Sequence, residues 1–411
     1  MACSGRPVLR VLLVLLAPAC GTAPTDDATG GASSSGGGTT SDGGPDPGLC
    51  APTTVPVLAG PGARQLERVA TREAIPGLAD QPTVHGQALG TLFAFDGRLH
   101  LGYGDYDANT GPIAMSAWDP LAAAFIDLGT LPAEEVLWFR QGEGTLYSPA
   151  IDPDGHQESG GVYRLDCGAA AWHVGAPIPG AVHVHDVAVQ GAAIYAGTGS
   201  LTGEPALLMA SQDHGQSWTE LLRRDSAPDR FSRFYYVGAT PEQLFVSGRD
   251  YPSPGTSFAW LRQGQGDFQA LNDPPGGFLV PIVLGDAMVV TAFAGTPGRS
   301  DDLATYRVDA GAFVVDSLWP ALPGGEATLV AWGPDSDPGR LLVLMRGADG
   351  SASVQRTDDL SVGAGAWDEL AALAPLPTDE YMSMALLRND LYLGTRLGAL
   401  YALRELDRPR P

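Results

Sequence analysis

The chain has 411 residues and carries 47 Asp and Glu against 24 basic residues, every one of them Arg, for a formal net charge of −23. A surface this acidic repels a phosphate backbone, so the composition argues against a nucleic-acid-binding protein. With 44% hydrophobic residues the chain can still bury a sizeable core, which excludes a wholly disordered protein.

Residues 1–19 have the features of an export signal. Arg6 and Arg10 lead into the apolar run 11–16, which is too short to span a bilayer as a helix, and small residues then precede Cys20. The segment resembles a bacterial lipoprotein signal. That resemblance implies a lipid on Cys20 and an extracytoplasmic protein that is held on a bacterial membrane through this lipid alone. Simple cleavage after Ala19, which would give a secreted protein, stays open as the alternative.

Residues 20–50 are rich in Gly, Ser, Thr and Asp and contain no basic residue. Such a stretch cannot bury enough apolar area to offset its ordering entropy, so we predict a flexible tether there and a folded body at residues 51–411. Cys3 leaves with the signal. In an oxidising compartment Cys50 and Cys167 then either form a disulfide or remain two free thiols. No Cys or His spacing predicts a zinc site, and no cofactor is predicted.

A turn followed by a short, alternating apolar strand recurs along the body. It appears first at residues 96–102 and returns six times, with spacings of 47, 48, 50, 44, 53 and 50 residues between equivalent anchor positions. Further turn and strand patterns lie between the anchors, so each unit reads as four short strands. Seven such units predict an all-β fold, a seven-bladed β-propeller with four-stranded antiparallel blades. The anchors are Leu99, Leu146, Ile194, Leu244, Met288, Leu341 and Leu391.

The last unit is one strand short, because its pattern ends after residues 401–403. We expect an N-terminal segment at residues 66–70 to supply the missing strand and close the ring. An open sheet edge would otherwise invite aggregation. The folded body is expected to be a monomer.

The third unit contains a more specific motif. Residues 211–218 read Ser-Gln-Asp-His-Gly-Gln-Ser-Trp. They match the Asp box, Ser-x-Asp-x-Gly-x-x-Trp, and through it the body resembles the sialidase-like (BNR) propellers. The resemblance implies that the Asp213 carboxylate ties down a tight hairpin together with Ser211 and Gly215, while Trp218 packs between sheets. It implies a fold and not an activity, because one fold hosts many functions.

Propellers bind ligands at the mouth of the central channel, beside the first strand of each blade. Charged and aromatic residues cluster at and near several of the positions that lie eleven residues before the anchors. They predict a non-catalytic binding or scaffold module for a protein, a peptide or a glycan. In a strand His183 and His185 share one face and Asp186 lies on the other; hydrogen bonds within the fold are the competing interpretation. The predicted ligand-binding residues are His183, His185, Asp186, Arg233, Tyr235, Tyr236, Glu135, Glu380, Tyr381 and Trp138.

The same resemblance implies an alternative function, a sialidase-like exo-glycoside hydrolase. Such enzymes clamp a carboxylate with three arginines and stabilise an oxocarbenium-like transition state. The distinguishing feature is whether three guanidinium groups point into one pocket. The catalytic candidates are Glu135, Glu380, Tyr235 and Arg233, with Arg140 and Arg249 as the further arginines.

The loop after the first anchor has oxygen-bearing residues at alternate positions. Asp105, Asp107 and Asn109 are candidate calcium ligands, because hard cations prefer carboxylate and amide oxygens. The same residue types are also the usual residues of hairpin turns, so an ordinary turn is the competing interpretation. We therefore predict no resident metal.

Overall fold

The structure of the chain is a computed structural model, which describes residues 66–152, 160–251, 255–293, 304–316, 327–334, 340–360 and 367–404. The predicted export signal and tether, with Cys20 and Cys50, lie outside these residues. Cys167 lies within them and is disulfide-bonded. Its pairing with Cys50 stays a prediction.

The described residues are all-β. They form strands and two short 3₁₀ turns, Arg72–Ala74 and Tyr106–Ala108, and no α-helix. Accordingly, this part of the chain contains no helix long and apolar enough to cross a membrane. The fold class predicted from the alternating apolar pattern is confirmed.

Within the described residues the strands form five four-stranded sheets and one eight-stranded sheet, all antiparallel. The first sheet contains β2 (Thr91–Phe95), β3 (Arg98–Gly102), β4 (Ile113–Asp119) and β5 (Ala124–Leu131). The second contains β6 (Arg140–Gly142), β7 (Thr145–Pro149), β8 (Val162–Asp166) and β9 (His173–Val174). The eight-stranded sheet contains β10 (His183–Gln190), β11 (Ala193–Gly199), β12 (Ala206–Ser211), β13 (Thr219–Arg224), β14 (Phe231–Ala239), β15 (Gln243–Tyr251), β16 (Thr256–Gln263) and β17 (Gln269–Ala270).

Three further four-stranded sheets follow. The next contains β18 (Phe278–Leu284), β19 (Ala287–Phe293), β20 (Thr305–Asp309) and β21 (Ala312–Asp316). It is followed by β22 (Ala327–Pro334), β23 (Leu341–Gly347), β24 (Ala352–Thr357) and β25 (Asp368–Leu373). The last sheet contains β26 (Tyr381–Leu387), β27 (Asp390–Thr395), β28 (Leu400–Leu403) and the N-terminal β1 (Glu67–Ala70).

The repeat in the sequence corresponds to this recurrence of hairpins. Every anchor lies in the second strand of a four-strand group, at β3, β7, β11, β15, β19, β23 and β27. The turn before the first anchor shows how its residue types join two paired strands. Asp96 and Gly97 have φ values of 53° and 67°, and such a two-residue turn matches the right-handed twist of the strands that it joins.

The sheets have the arrangement of a β-propeller. The first strands of neighbouring groups contact one another: β2 lies beside β26, β26 beside β22, β6 beside β10, β10 beside β14, and β14 beside β18. The later strands of each group therefore lie progressively farther from this inner row. In the eight-stranded sheet, β10–β13 and β14–β17 are two such groups, joined where Gly199 on β11 pairs with Arg233 on β14.

The expected N-terminal strand is present. β1 pairs antiparallel with β28, with Glu67 opposite Ala402 and Arg68 opposite Tyr401. Arg404 adds ion pairs to Glu67 at 3.0 Å and to Asp390 at 2.8 Å. This strand completes the four-stranded sheet that the repeat pattern leaves one strand short.

The Asp213 hairpin between β12 and β13 is held by its own side chains. Asp213 Oδ1 accepts hydrogen bonds from the backbone N–H of Gln216 and Ser217, at 3.1 and 2.8 Å. Hydrogen bonds from the Ser217 and Ser211 hydroxyls, with smaller effects of these two N–H groups, lower the pKa of Asp213 to about 2. The Gly215 N–H donates to Ser211 Oγ at 2.9 Å, and Gly215 has a φ of 84° that favours glycine.

The same hairpin reaches the neighbouring sheet. Trp218 Nε1 donates to the Ala176 carbonyl oxygen at 3.2 Å, and Trp218 packs against the buried cluster that contains Ile194 and Met209. His214 Nδ1 lies 2.7 Å from the Tyr147 hydroxyl on β7. The motif therefore has a structural role, joining the third four-strand group to the second sheet.

Asp186 on β10 connects three inner strands. Its carboxylate is fully buried and forms an ion pair with Arg140 on β6, at 3.0 Å. It also accepts the N–H of Val187 on its own strand, at 2.9 Å, and that of Val237 on β14, at 3.1 Å. Burial raises the pKa of Asp186, and Arg140 and the two N–H groups oppose that rise. These are the contacts of the competing interpretation, in which Asp186 bonds groups within the fold.

Replacing this carboxylate should destabilise the whole body. We expect Asp186→Asn to lower the free energy of unfolding by about 3 kcal/mol, because breaking a buried ion pair leaves the partner charge poorly compensated. Urea denaturation followed by circular dichroism measures the loss. The matched control is Asp286→Asn, in the exposed turn between β18 and β19, which should change little. Equal losses in the two variants would contradict the role of Asp186.

Candidate functional site

The chemistry-bearing side chains gather where the inner strands begin. β11 is antiparallel to both β10 and β14, so β10 and β14 run in the same direction and begin at the same end. Phe278, the first residue of β18, contacts Tyr235 of β14 and therefore lies there too. We call this end the mouth and its side chains the mouth cluster, which comprises Tyr106, Glu135, Trp138, His183, His185, Phe231, Arg233, Tyr235, Tyr236, Arg249, Tyr251 and Phe278.

Four of the described inner strands, β10, β14, β22 and β26, carry a β-bulge, and those on β10 and β14 lie at the mouth cluster. The register shifts between Val184 and Asp186 on β10, and between Phe234 and Tyr236 on β14. Each bulge redirects the side chains around the extra residue, as bulges near binding sites often do. The extra residues are His185 and Tyr235, and their ring centroids are 4.6 Å apart.

The two histidines stack, as expected for residues on one strand face, with ring centroids 5.5 Å apart. His183 Nδ1 lies 2.9 Å from the Ile151 carbonyl oxygen and 3.4 Å from Asp152 Oδ1. His185 is 7% exposed, and its buried Nε2 has no hydrogen-bond partner among the described residues. Burial, with the charge of Arg233, lowers the pKa of His185 well below its usual value. His185 is therefore neutral at pH 7.

Arg233 and Arg249 form a pair across two strands. They lie directly opposite each other on β14 and β15. The Arg233 guanidinium carbon lies 4.9 Å from the ring centroid of Phe231, and that of Arg249 lies 4.8 Å from the ring of Phe278. Neither has a carboxylate within 4.0 Å among the described residues, and both Nε atoms are buried without a hydrogen-bond partner there. The Arg249 guanidinium donates one bond, of 3.2 Å, to the Gly255 carbonyl oxygen.

Aromatic rings surround this arginine pair. The Tyr235 and Tyr251 hydroxyls are 2.9 Å apart, and Tyr251 stacks on Phe231 with centroids 4.6 Å apart. Burial raises the pKa of Tyr235 above its ordinary value, so its hydroxyl stays protonated. Tyr236 is buried, with its ring edge-on to Trp138 at 6.4 Å.

Glu135 has a buried carboxyl group and lies on the side of the mouth that is next to the second sheet. It is 6% exposed, and its Oε2 has no hydrogen-bond partner among the described residues. Burial raises the pKa of Glu135 to about 8, and the nearby charges of Asp105 and Asp107 add to the rise, although the Tyr106 N–H opposes it. Glu135 is therefore largely protonated at pH 7.

Tyr106 was not among the residues predicted for the site. It lies in the turn Tyr106–Ala108 after β3, and it is 40% exposed. Burial of its hydroxyl raises the pKa of Tyr106 to about 12; the charges of Asp107, Glu135 and Tyr251 add to this rise, and Arg233 opposes it. The loop of the first sheet thus reaches the arginine side of the mouth. The sequence signal for this residue is an aromatic side chain in the middle of a polar turn.

Two of the three candidate calcium ligands, Asp105 and Asn109, take part in the local structure of the turn. Asp105 is buried, and its Oδ2 accepts a hydrogen bond of 2.6 Å from Thr83 Oγ1. Asn109 closes the 3₁₀ turn with a φ of 53°. In the part of the chain that is described, no three His, Cys, Asp or Glu side chains are placed to hold a metal.

Glu380 and Tyr381 lie apart from the mouth cluster. Glu380 forms an ion pair of 2.7 Å with Arg346 and lines a cleft of about 550 Å³ with Asp349, Asp379 and Arg396. Tyr381 is buried, and its hydroxyl donates to the Ala374 carbonyl oxygen at 3.0 Å. The structure therefore brings together Glu135, Trp138, His183, His185, Arg233, Tyr235 and Tyr236, and places Glu380 and Tyr381 between the last two sheets.

No family model matches the chain, and no curated protein matches it. Among solved structures, a chain of the mitotic checkpoint complex has 10% identity and a TM-score of 0.49, over 84% of this chain and 96% of that chain. The C-terminal WD40 domain of Sif2 has 11% identity and a TM-score of 0.48, over 87% and 100%. A protein from Lactobacillus plantarum has 17% identity and a TM-score of 0.45, over 72% and 88%. Likenesses at this level identify no function for the chain.

The raised pKa of Glu135 makes stability depend on pH. Between its ordinary value of 4.5 and about 8, the unfolded chain releases this proton while the folded protein retains it. Stability should therefore fall as the pH rises through this window, by at most about 1.4 kcal/mol per pH unit for one group, and level off above it. Glu135→Gln should remove that slope and be more stable than the wild type at pH 8.

Urea denaturation at pH 5, 6, 7 and 8 measures the slope. Glu242→Gln, an exposed residue in the turn before β15, is the matched control and should follow the wild type at every pH. A Glu135→Gln protein with the wild-type slope would show that this carboxyl group is ionised in the folded state.

Proposed function

We propose that the chain is a seven-bladed β-propeller of the Asp-box type. The eight-stranded sheet is read as two blades, because each of its halves is a complete four-strand group and the two join at Gly199 and Arg233. The pairing of β1 with β28 then closes the ring. The hydrogen bonding of the Asp213 hairpin supports the assignment to the sialidase-like propellers. A crystal structure would count the blades directly.

We further propose that the propeller is held outside the cytoplasm by a lipid on Cys20. The sequence of residues 1–20 supports this, as does the disulfide at Cys167, because disulfides persist in oxidising compartments. Expressed with its own signal in a bacterium, the protein should fractionate with membranes. Cys20→Ser should move it to the soluble fraction, whereas Cys3→Ser should leave it on the membrane. Membrane association in all three proteins would contradict the anchor.

The function that the site supports best is a non-catalytic binding or scaffold module that takes its ligand at the mouth. One observation carries this proposal. Two arginines, a neutral histidine and several partly exposed aromatic rings converge at one end, and buried polar atoms of His185, Arg233 and Arg249 have no partner among the described residues. Ligand sites combine apolar walls with a few polar groups in this way. The ligand is a protein, a peptide or a glycan.

The alternative, a sialidase-like hydrolase, has one observation in its favour, the protonated carboxyl group of Glu135, which could serve as a general acid. Three observations weigh against it. Arg140 is engaged by Asp186, the Tyr235 hydroxyl is bonded to Tyr251 with a raised pKa, and Glu380 is paired with Arg346. Two arginines converge at the mouth, where such a clamp needs three.

Peptide and glycan arrays probed with the full-length protein test the binding function. We expect hits that are lost in Tyr106→Ala, because this exposed side chain lies over the mouth and its removal spares the core. The matched control is Leu121→Ala, a 75% exposed residue of the same sheet in the turn between β4 and β5, which lies at the opposite end. This control should bind as the wild type does.

The same preparation is tested for hydrolysis of fluorogenic glycosides, including a sialoside. We expect no turnover. Hydrolysis that Glu135→Gln abolishes would replace the binding function by the hydrolase, and hits that persist in Tyr106→Ala but vanish in Leu121→Ala would move the site away from the mouth.

A further inference from the structure

Repulsion between Arg233 and Arg249 lowers the stability of the folded protein. Arg233 and Arg249 are directly opposed on neighbouring antiparallel strands, where opposed side chains start about 5 Å apart and like charges repel. The chain has 47 acidic residues available for pairing. Many other arginines of the described residues have an acid within 4.0 Å, among them Arg72, Arg98, Arg140, Arg164, Arg223, Arg224, Arg346 and Arg404.

The rings around the pair hold the two guanidinium groups without neutralising them. Arg233 lies over Phe231, and Arg249 over Phe278 and, at 5.9 Å, Tyr251. Cation–π contacts of this kind orient a guanidinium group without using its N–H donors. Arg249 uses one of these donors for the Gly255 carbonyl oxygen, Arg233 interacts with the Tyr235 hydroxyl, and further donors of each group remain for an acceptor. Two oriented arginine side chains thus extend from directly opposed backbone positions at the mouth, and their buried Nε atoms have no partner among the described residues.

The backbone beside the pair is shaped to admit these side chains. Gly199 pairs with Arg233 across β11 and β14. A Cβ on Gly199 would lie 2.6 Å from Arg233 Cγ and 2.9 Å from His185 Nε2, so any larger residue would displace both. His185 Nε2 is buried, lacks a partner among the described residues and adjoins Arg233. The glycine, the histidine and the arginines form one built site.

We infer that Arg233, Arg249 and His185 form an oxyanion-binding site that takes a carboxylate or phosphate group of the ligand, next to an apolar or aromatic portion held by Tyr235, Tyr251 and Phe278. This inference rests on the proposed binding function and specifies its ligand class. Paired guanidinium groups bind such groups through charge-assisted, often bidentate hydrogen bonds. The neighbouring rings supply the contact for the adjacent apolar portion.

The protein's overall charge helps to make a test specific. At a net charge of −23 the molecule repels small anions, so binding of an anion reports a local site rather than general attraction. Benzoate joins a carboxylate to an aromatic ring, and benzamide has the same ring without the charge. Inorganic phosphate and sulfate present the oxyanion alone. These four probes are compared by isothermal titration calorimetry on the full-length protein at constant ionic strength.

We expect benzoate, phosphate or both to bind, and benzamide to bind at least tenfold more weakly than benzoate. Arg233→Gln and Arg249→Gln should each weaken binding by about tenfold, the equivalent of one charge-assisted hydrogen bond. Arg233→Lys keeps the charge but loses the bidentate geometry, and should also bind more weakly. Tighter binding of benzoate points to a carboxylate ligand, and tighter binding of phosphate to a phosphorylated one.

The matched control is Arg262→Gln. Arg262 lies on β16 of the same group, stacks over Tyr195 and Phe268, and donates to the Tyr195 hydroxyl, but at the opposite end of the group. Its loss should leave binding unchanged. Thermal unfolding without ligand distinguishes a loss of the binding site from a loss of folding. The melting temperature of Arg249→Gln should be no lower than that of the wild type, because the substitution removes a like-charge repulsion.

Three results would overturn the inference. They are binding of none of the anions, equal binding of benzoate and benzamide, or wild-type affinity in both Gln variants. If the arrays still return hits that need Tyr106, the binding function stands and only the anionic ligand class is wrong. If the arrays also return none, the binding function itself fails.

Discussion

The buried carboxylate of Asp186 is the interaction on which the mouth depends. It is the point where inner strands of three successive four-strand groups meet, through Arg140, its own strand and Val237. A fully buried charge is tolerated when an opposite charge and hydrogen bonds compensate it. Because the geometry of this contact is narrow, it fixes β10 relative to β14, and that spacing brings His185 against Tyr235 and Arg233.

The same ion pair leaves Arg233 and Arg249 as the arginines of the mouth cluster, and neither has an acid within 4.0 Å among the described residues. Asp186 forms an ion pair with Arg140, so the Arg140 charge is already compensated. The bulges on β10 and β14 place His185 and Tyr235 beside Arg233. Asp186 is thus compensated by Arg140 and two backbone N–H groups, whereas the charges of Arg233 and Arg249 are not compensated by an acid among the described residues. Buried polar atoms without a partner occur at other places among the described residues too, for example at His100 and Trp118. The mouth differs in that two directly opposed arginines there have no acid within hydrogen-bonding distance among the described residues, and a ligand that supplies the missing negative charge explains this most simply.

Much of the architecture could be predicted from the sequence, because a four-strand repeat is a local pattern. All the anchors lie in second strands, and counting back from them reached His183 and Arg233 on the inner strands. The site was harder, because it depends on contacts between groups. Arg249 is on a second strand and reaches the mouth only as the cross-strand partner of Arg233. Tyr106 comes from a loop of the first sheet. The same count also gave Glu380, which lines a separate cleft, because its carboxylate pairs with Arg346 of the neighbouring sheet.

The protonation state of Glu135 also affects the charge at the mouth. As an ionised carboxylate it would oppose anion binding near Tyr106, whose hydroxyl responds to the charges of both Glu135 and Arg233. Burial instead raises the pKa of Glu135 to about 8, so at neutral pH this side of the mouth carries one negative charge fewer. His185, neutral for the same reason of burial, adds no charge but offers a ring nitrogen beside Arg233. The attraction for an oxyanion then comes from the arginine pair alone, and it is strongest below the pH at which Glu135 ionises.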